Sequence, residues 1–385
     1  MGAQGLLIRL TAVALGFALG GLVGEVSIRV YAGLHESARQ VLAQADPMGV
    51  FIAPHGELGY RPCPNKVFGY SNGTVATTNA MGYRGPVVAV PKPSGTFRII
   101  LLGESTTHGW GVADDETIDA FMRSLLTERY PGLKVDIVNL AFDGYDSRQL
   151  LERLRTDGMR LEPDVMIINT GINDVRNARF KNLADPDPRT LIWEDVLRRL
   201  REEQARGGPT IWTRVKHYSY LARLPAVAQQ YVSNTHARRM QAKVTPDSSA
   251  VEIFGRNLER MSALGRHADV PVIFSTPPSS LPSRYAPRAT SGISYWINDA
   301  ATTQQLRDEL ASRMQDVVAR QLSRGQKTAY VAHNLSPDSF LDDAHLTRGG
   351  NRQMAIDFVA AIAPYIQGWE RSRNLGYGRG TVRRE

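Results

Sequence analysis

Four blocks of polar residues carry the side chains that acyl transfer needs. Three of them each follow an apolar run of strand length: Gly103-Glu104-Ser105-Thr106-Thr107, Asn139-Leu140-Ala141-Phe142-Asp143-Gly144 and Gly171-Ile172-Asn173-Asp174. The fourth, Asp342-Asp343-Ala344-His345, lies far downstream. The reaction requires a nucleophile, a base to take its proton, an acid to orient the base, and donors for the oxyanion. Ser105 can be the nucleophile and His345 the base. Asp342, three residues before His345, can fix its tautomer and stabilise the imidazolium, with Asp343 as the neighbouring alternative. The backbone N–H groups of Ser105 and Gly144 and the side-chain amide of Asn173 are the expected oxyanion donors. Glycine at 144 lets a backbone N–H approach substrate with no Cβ in the way. His108, three residues after Ser105, is a further candidate for substrate contact. Singly, a serine after a strand is usually a helix cap and an Asn-Asp pair is usually turn chemistry. Four such blocks in one chain, three of them at strand ends, call for a common explanation.

Such residues must be held by an ordered scaffold, and the surrounding pattern supplies one. Apolar runs predict strands over 97–102, 135–140, 165–170, 270–276 and, more weakly, 328–332. Helical periodicity fills the gaps, over 118–130, 149–158, 251–265, 304–322 and 350–362. Strand–helix alternation with near-continuous apolar strands predicts a parallel sheet covered on both faces. Ligands bind such sheets at the carboxyl ends of the strands, where three of the blocks fall. A polar, basic insertion with helical pieces is expected over 176–250. Residues 26–95 read as a juxtamembrane stretch and an irregular lead-in rich in Pro, Gly and Asn.

The blocks at Ser105, Gly144, Asn173 and His345, with Asp342 in an Asp-x-x-His spacing, resemble the SGNH (GDSL-type) hydrolase family. The resemblance runs over 96–366. It implies a flavodoxin-like three-layer α/β/α sandwich, a serine mechanism without metal or cofactor, and ester hydrolysis. The stretch Asn79-Ala80-Met81-Gly82-Tyr83-Arg84-Gly85 is similar to a segment preceding the catalytic domain in membrane-anchored bacterial members. One position departs from the family pattern: Glu104 stands where Asp is usual. No Gly-x-Ser-x-Gly elbow surrounds the serine, which argues against an α/β-hydrolase. No phosphate-binding glycine loop or His-Glu-x-x-His zinc motif occurs.

The composition fits this reading. The chain has 385 residues, of which 42% are hydrophobic and 22% charged, with a single cysteine. A disulfide framework is thereby excluded. The net charge is +8, but five Arg and one Glu in residues 371–385 account for half of it, so no nucleic-acid partner is expected. Residues 6–24 are apolar apart from Arg9 and predict a signal-anchor or transmembrane segment, with a cleaved signal as the rival. Either places the rest of the chain outside the cytoplasm, anchored in one case and secreted in the other. The expected organisation is a segment over 1–25, the lead-in, the hydrolase domain and a basic tail over 367–385. The expected activity is hydrolysis of an acyl ester, acetyl above all, on cell-surface carbohydrate. An O-acyltransferase using the same site and a noncatalytic glycan-binding protein are the alternatives. Nothing in the sequence sets the oligomeric state.

Overall fold

Five apolar runs pair side by side as one parallel sheet. The strands are β1 (Thr96–Gly103), β2 (Lys134–Asn139), β3 (Val165–Asn169), β4 (Val272–Ser275) and β5 (Thr328–Val331), in the order 2-1-3-4-5. This is the flavodoxin-like order, and the sheet is the doubly covered one that the sequence predicts. The computed structural model describes residues 3–35, 38, 42, 51–70, 72–184, 186–191, 193–228, 246–280 and 300–374.

Two sets of helices cover the sheet. On one face α1 (Ile118–Arg129) joins a long C-terminal helix, Arg348–Asn374. Their Ile118, Met122, Leu126, Phe358 and Ile362 pack on Phe97, Ile99 and Leu101 of β1 and on Ile137, Val165, Ile167 and Ile273. These β1 residues alternate along the strand, as a pleated strand's period of two requires. On the other face lie α2 (Ser147–Arg153), α3 (Ser249–His267) and α4 (Ala300–Ser323). Full burial of each Leu, Ile or Phe contributes about 1.5–3 kcal/mol, so this core holds the strand ends in register. Arg98, the one charge in β1, stands opposite Asp136 in β2 and pairs with it at 2.7 Å. A buried guanidinium is tolerated there because the carbonyls of Leu161 and Ala89 also accept from it.

The lead-in is more regular than its composition suggests. Strands Ile52–His55 and Gly59–Pro62 pair antiparallel, and two further short strands occur at Val67–Gly69 and Val75–Thr77. The C-terminal helix runs on to Asn374, past the expected domain end at 366. The rest of the basic tail, 375–385, lies outside the described residues, as do residues 229–245 of the insertion.

The chain divides into two compact units. One comprises residues 52–67, 75–194 and 241–385 and contains the sheet; the other comprises residues 1–51, 68–74 and 195–240. The second unit holds the helix Ala3–Leu34, of which Thr11–Leu34 is long and apolar enough to cross a membrane. It also holds most of the helix Glu194–Ala205 and the helix Ile211–Tyr218.

Candidate active site

The fold brings all four blocks together. Ser105 opens a four-residue helix, Ser105–His108, directly after β1. His345 Nε2 lies 2.8 Å from Ser105 Oγ, and His345 Nδ1 lies 2.8 Å from Asp342 Oδ2. The other Asp342 oxygen accepts from the backbone N–H groups of Ala344 and His345 at 2.9 and 2.7 Å. Burial alone would raise the Asp342 carboxyl. The bond and charge of His345 and the two backbone donors outweigh it, holding the carboxyl below its ordinary value. An ionised carboxylate can only accept, so Nδ1 carries the proton and Nε2 is left to accept from Ser105. Asp343 contributes its carbonyl to Ser279 and Ser280 instead. Thr106 Oγ1 donates to Ala344 O and ties the serine helix to the histidine loop.

Asn173 sits in the first turn of the short helix Ile172–Asn177, just after β3. Its Nδ2 donates to Tyr145 O at 2.8 Å, which uses one of the amide's two hydrogens. The neighbouring Asp174 goes elsewhere, accepting from Ser147 Oγ at 2.6 Å; burial pushes its carboxyl well up, with Asp146 and Glu104 adding to the effect. Gly144 has φ +78°, a conformation that a Cβ disfavours, in the turn closed by Tyr145 N–H on Phe142 O. His108 is buried, with Nδ1 2.9 Å from Asp143 Oδ1. It braces this turn from within the protein rather than from the solvent side. Replacing Asn173 by alanine is expected to lower kcat by about a hundred- to a thousandfold with little change in KM. Steady-state kinetics on a chromogenic ester test this, and an unchanged kcat would remove Asn173 from the oxyanion site.

Glu104 explains how the departure from the family pattern is accommodated. Its Oε1 accepts from Thr170 Oγ1 and Gly171 N, both at 2.8 Å, and its Oε2 from Asn173 N at 3.0 Å. The residue before the serine therefore fixes the loop that presents Asn173. Burial pushes the carboxyl up to about 7, against the lowering by its three donors and with Asp146 raising it further. Glu104→Gln must place an amide N–H against one of these donors, most simply Asn173 N. Loss of that bond corresponds to about tenfold in kcat, if about 1–2 kcal/mol of loop positioning is lost. Stability gives an independent readout. The folded carboxyl keeps its proton between the ordinary value near 4.5 and about 7 while the unfolded one releases it. Wild-type stability therefore falls across that window as pH rises, and the glutamine variant should show a flatter profile.

Two features were not apparent from the blocks. Arg84, buried, donates to the carbonyls of His108, Gly109 and Val112 at 2.9, 2.5 and 2.6 Å and pairs with Asp114 at 2.8 Å. It shapes the loop carrying Trp110, whose ring stacks on His345 at 4.3 Å between centroids and 29° between planes. The second feature is another Ser-His-Asp array. Ser275 Oγ lies 2.8 Å from His333 Nε2, and His333 Nδ1 lies 2.7 Å from Asp357 Oδ2. Ser275 is fully buried on β4, and burial lowers the His333 pKa. This array is a strut between β4, the loop after β5 and the C-terminal helix, with its serine closed to substrate.

Residues 101–353 match the GDSL-like Lipase/Acylhydrolase family. The match covers well over half of the chain, which belongs to this family. It is thus an ester-hydrolysing enzyme. Among solved structures, the chain is similar to a lipase/acylhydrolase from Enterococcus faecalis at 16% identity, over 69% of this chain and 95% of that one, with a TM-score of 0.39. It is similar to a catalytic mutant of Axe2, an acetylxylan esterase from Geobacillus stearothermophilus, at 15% identity over 69% and 94%, with a TM-score of 0.40. A GDSL-like lipase from Bacteroides thetaiotaomicron matches at 18% identity over 69% and 88%, with a TM-score of 0.35. No curated protein matches the chain.

Proposed function

We propose that this enzyme is a membrane-anchored, extracytoplasmic serine esterase that removes acyl groups, acetyl foremost, from cell-surface carbohydrate. The unbroken chain of bonds from Asp342 through His345 to Ser105 carries the mechanistic part. Ser105 Oγ attacks the ester carbonyl while His345 Nε2 takes its proton. Asn173 Nδ2–H and the backbone N–H groups of Ser105 and Gly144 receive the oxyanion. On collapse the carbon–oxygen bond to the sugar breaks, and His345 returns the proton to the departing alkoxide. Water then attacks the acyl-enzyme, giving a proton to His345, and the acid leaves as Ser105 regains its hydrogen.

The location rests on the apolar run 6–24, which leaves the sheet-bearing unit beyond the membrane when the short amino terminus stays inside. An enzyme so tethered meets acylated surface polymers at high local concentration. The test is acid release by the full-length chain from an acetylated oligosaccharide, beside release from long-chain esters. Acetate released from the sugar supports the reading. Turnover of long-chain esters alone would overturn the carbohydrate assignment, and transfer of acetyl to an added sugar would replace hydrolysis by acyl transfer.

A further inference from the structure

Helix Ile211–Tyr218 is amphipathic in the opposite sense to a helix on a water-soluble surface. Ile211, Val215 and Tyr218 recur at i, i+4 and i+7, with Trp212 beside them, and form one apolar stripe. That stripe faces outward: Ile211 is 83% exposed, Trp212 58% and Tyr218 72%. The polar Thr213 faces inward, buried, and its Oγ1 donates to Glu203 at 3.0 Å. Leu221 and Leu224 extend the exposed apolar surface into the helical stretch 220–228.

Within the same unit this surface joins the helix Ala3–Leu34 at the level where the apolar run ends. Glu25, the first acidic residue after that run, accepts from Ser219 Oγ at 2.8 Å, Tyr220 N at 3.0 Å and Leu221 N at 2.9 Å. A carboxylate there satisfies the free N–H groups that open the stretch 220–228. Arg29, one turn on, pairs with Glu25 at 2.7 Å and donates to Tyr218 O at 2.5 Å. A Cβ on Gly24 would lie 3.5 Å from a Leu221 methyl. The outward Phe17, Leu19, Leu22, Val26 and Val30 of the long helix continue the apolar surface.

We propose that the stripe Ile211-Trp212-Val215-Tyr218 lies in the headgroup–acyl boundary of the same bilayer that the long helix crosses. The proposal rests on the anchor reading above. The window Thr11–Leu34 contains the ion pair Glu25–Arg29, whereas residues 6–24 hold Arg9 as their one charge and are about the length that spans the hydrocarbon core. With 6–24 as the spanning part, Glu25 and the residues it holds fall at the headgroup level. Trp and Tyr concentrate at that depth, where one end of the ring is apolar and the other polar. Residues 211–228 contain Arg214, Lys216 and Arg223 and no acid, which suits anionic headgroups. The insertion thus acts as a brace lying on the membrane and fixes the rotation and tilt of the anchor.

The test uses the full-length chain in vesicles of phosphatidylcholine and phosphatidylglycerol whose acyl chains are brominated either near the headgroup or near the chain end. The other four tryptophans serve as the internal reference in a Trp212→Phe variant. Shallow bromines should quench wild-type tryptophan fluorescence more than deep ones, and most of that quenching should vanish in the variant. Equal quenching of wild type and variant would overturn the proposal. So would a Trp212 that bromine does not quench and aqueous iodide does not reach, since a protein partner or second copy would then cover the stripe. Alkaline carbonate extraction separates the two readings. A chain that carbonate releases has no anchor, whereas a retained chain with unquenched Trp212 has an anchor but no interfacial brace.

Discussion

Replacing Ser105 by alanine should lower kcat by about 10⁴-fold or more, with KM almost unchanged. The substitution deletes the only atom that can form the acyl-enzyme in the proposed mechanism. The substitution leaves the rest of the substrate-binding surface in place, which is why KM persists, and the proposed oxyanion donors leave a small residual rate over water. The fold should not notice, because Ser105 Oγ bonds only to His345 Nε2 among the described contacts. An unchanged unfolding midpoint would separate loss of chemistry from loss of structure. Intact-mass analysis with a fluorophosphonate probe gives the sharper readout, since only an activated serine reacts. Wild type should gain one adduct, and Ser105→Ala none. Ser275→Ala is the matched control: that serine has the same Ser-His-Asp bonding but is sealed in the core, so the variant should still take up one adduct. An adduct that survives in Ser105→Ala, or disappears in Ser275→Ala, would transfer the assignment to the second array.

The contrast between these two arrays shows what a sequence can and cannot display. Strands β1 to β4 are legible because the strands of a covered parallel sheet read as near-continuous apolar runs, interrupted inside β1 and β2 by the paired Arg98 and Asp136. Their ends shift by only a residue or two, as at 270–276, where Val272–Ser275 pairs. The pairing order 2-1-3-4-5 is not legible in the sequence, whereas the three blocks at strand ends converge because parallel strands finish at the same edge of the sheet. The helix Ile172–Asn177 was not legible: six residues are too few to show a helical period, and four of its side chains are polar or charged. Ser275, His333 and Asp357 lie 58 and 24 residues apart in consecutive steps, on elements whose adjacency only the sheet order creates. Arg84 is a similar case. The stretch Asn79–Gly85 stands out as a pattern, but its role depends on three carbonyls 24 to 28 residues away. Glu104 shows the limit most clearly, because one added methylene reads as a variant until its three donors are seen.

Asp342→Asn should cost nearly as much as loss of the nucleophile, about 10⁴-fold in kcat, although it changes one atom. The substituted amide would keep its oxygen toward the backbone N–H groups of Ala344 and His345, since an amide N–H cannot replace an acceptor there. The amide nitrogen must then occupy the place of Oδ2 and donate toward His345 Nδ1. The ring answers by moving its proton to Nε2, which faces Ser105 Oγ at 2.8 Å. Two donors now meet where a base should meet a nucleophile, so the bond that prepares Ser105 is lost while the backbone stays in place. The wild-type carboxyl supplies a second signature. Its pKa lies below the ordinary aspartate value, so its pairing stabilises the fold above that value and is lost as pH falls through the depressed one. The asparagine variant should therefore lose stability near neutral pH and show a shallower decline in acid than wild type. A variant that matched wild-type turnover, with or without the acid signature, would show that His345 does not depend on Asp342 for its tautomer. A variant that lost both activity and the acid-dependent stability would place orientation of the imidazole and anchoring of the Asp342–His345 loop in one carboxylate, whose two oxygens divide the tasks.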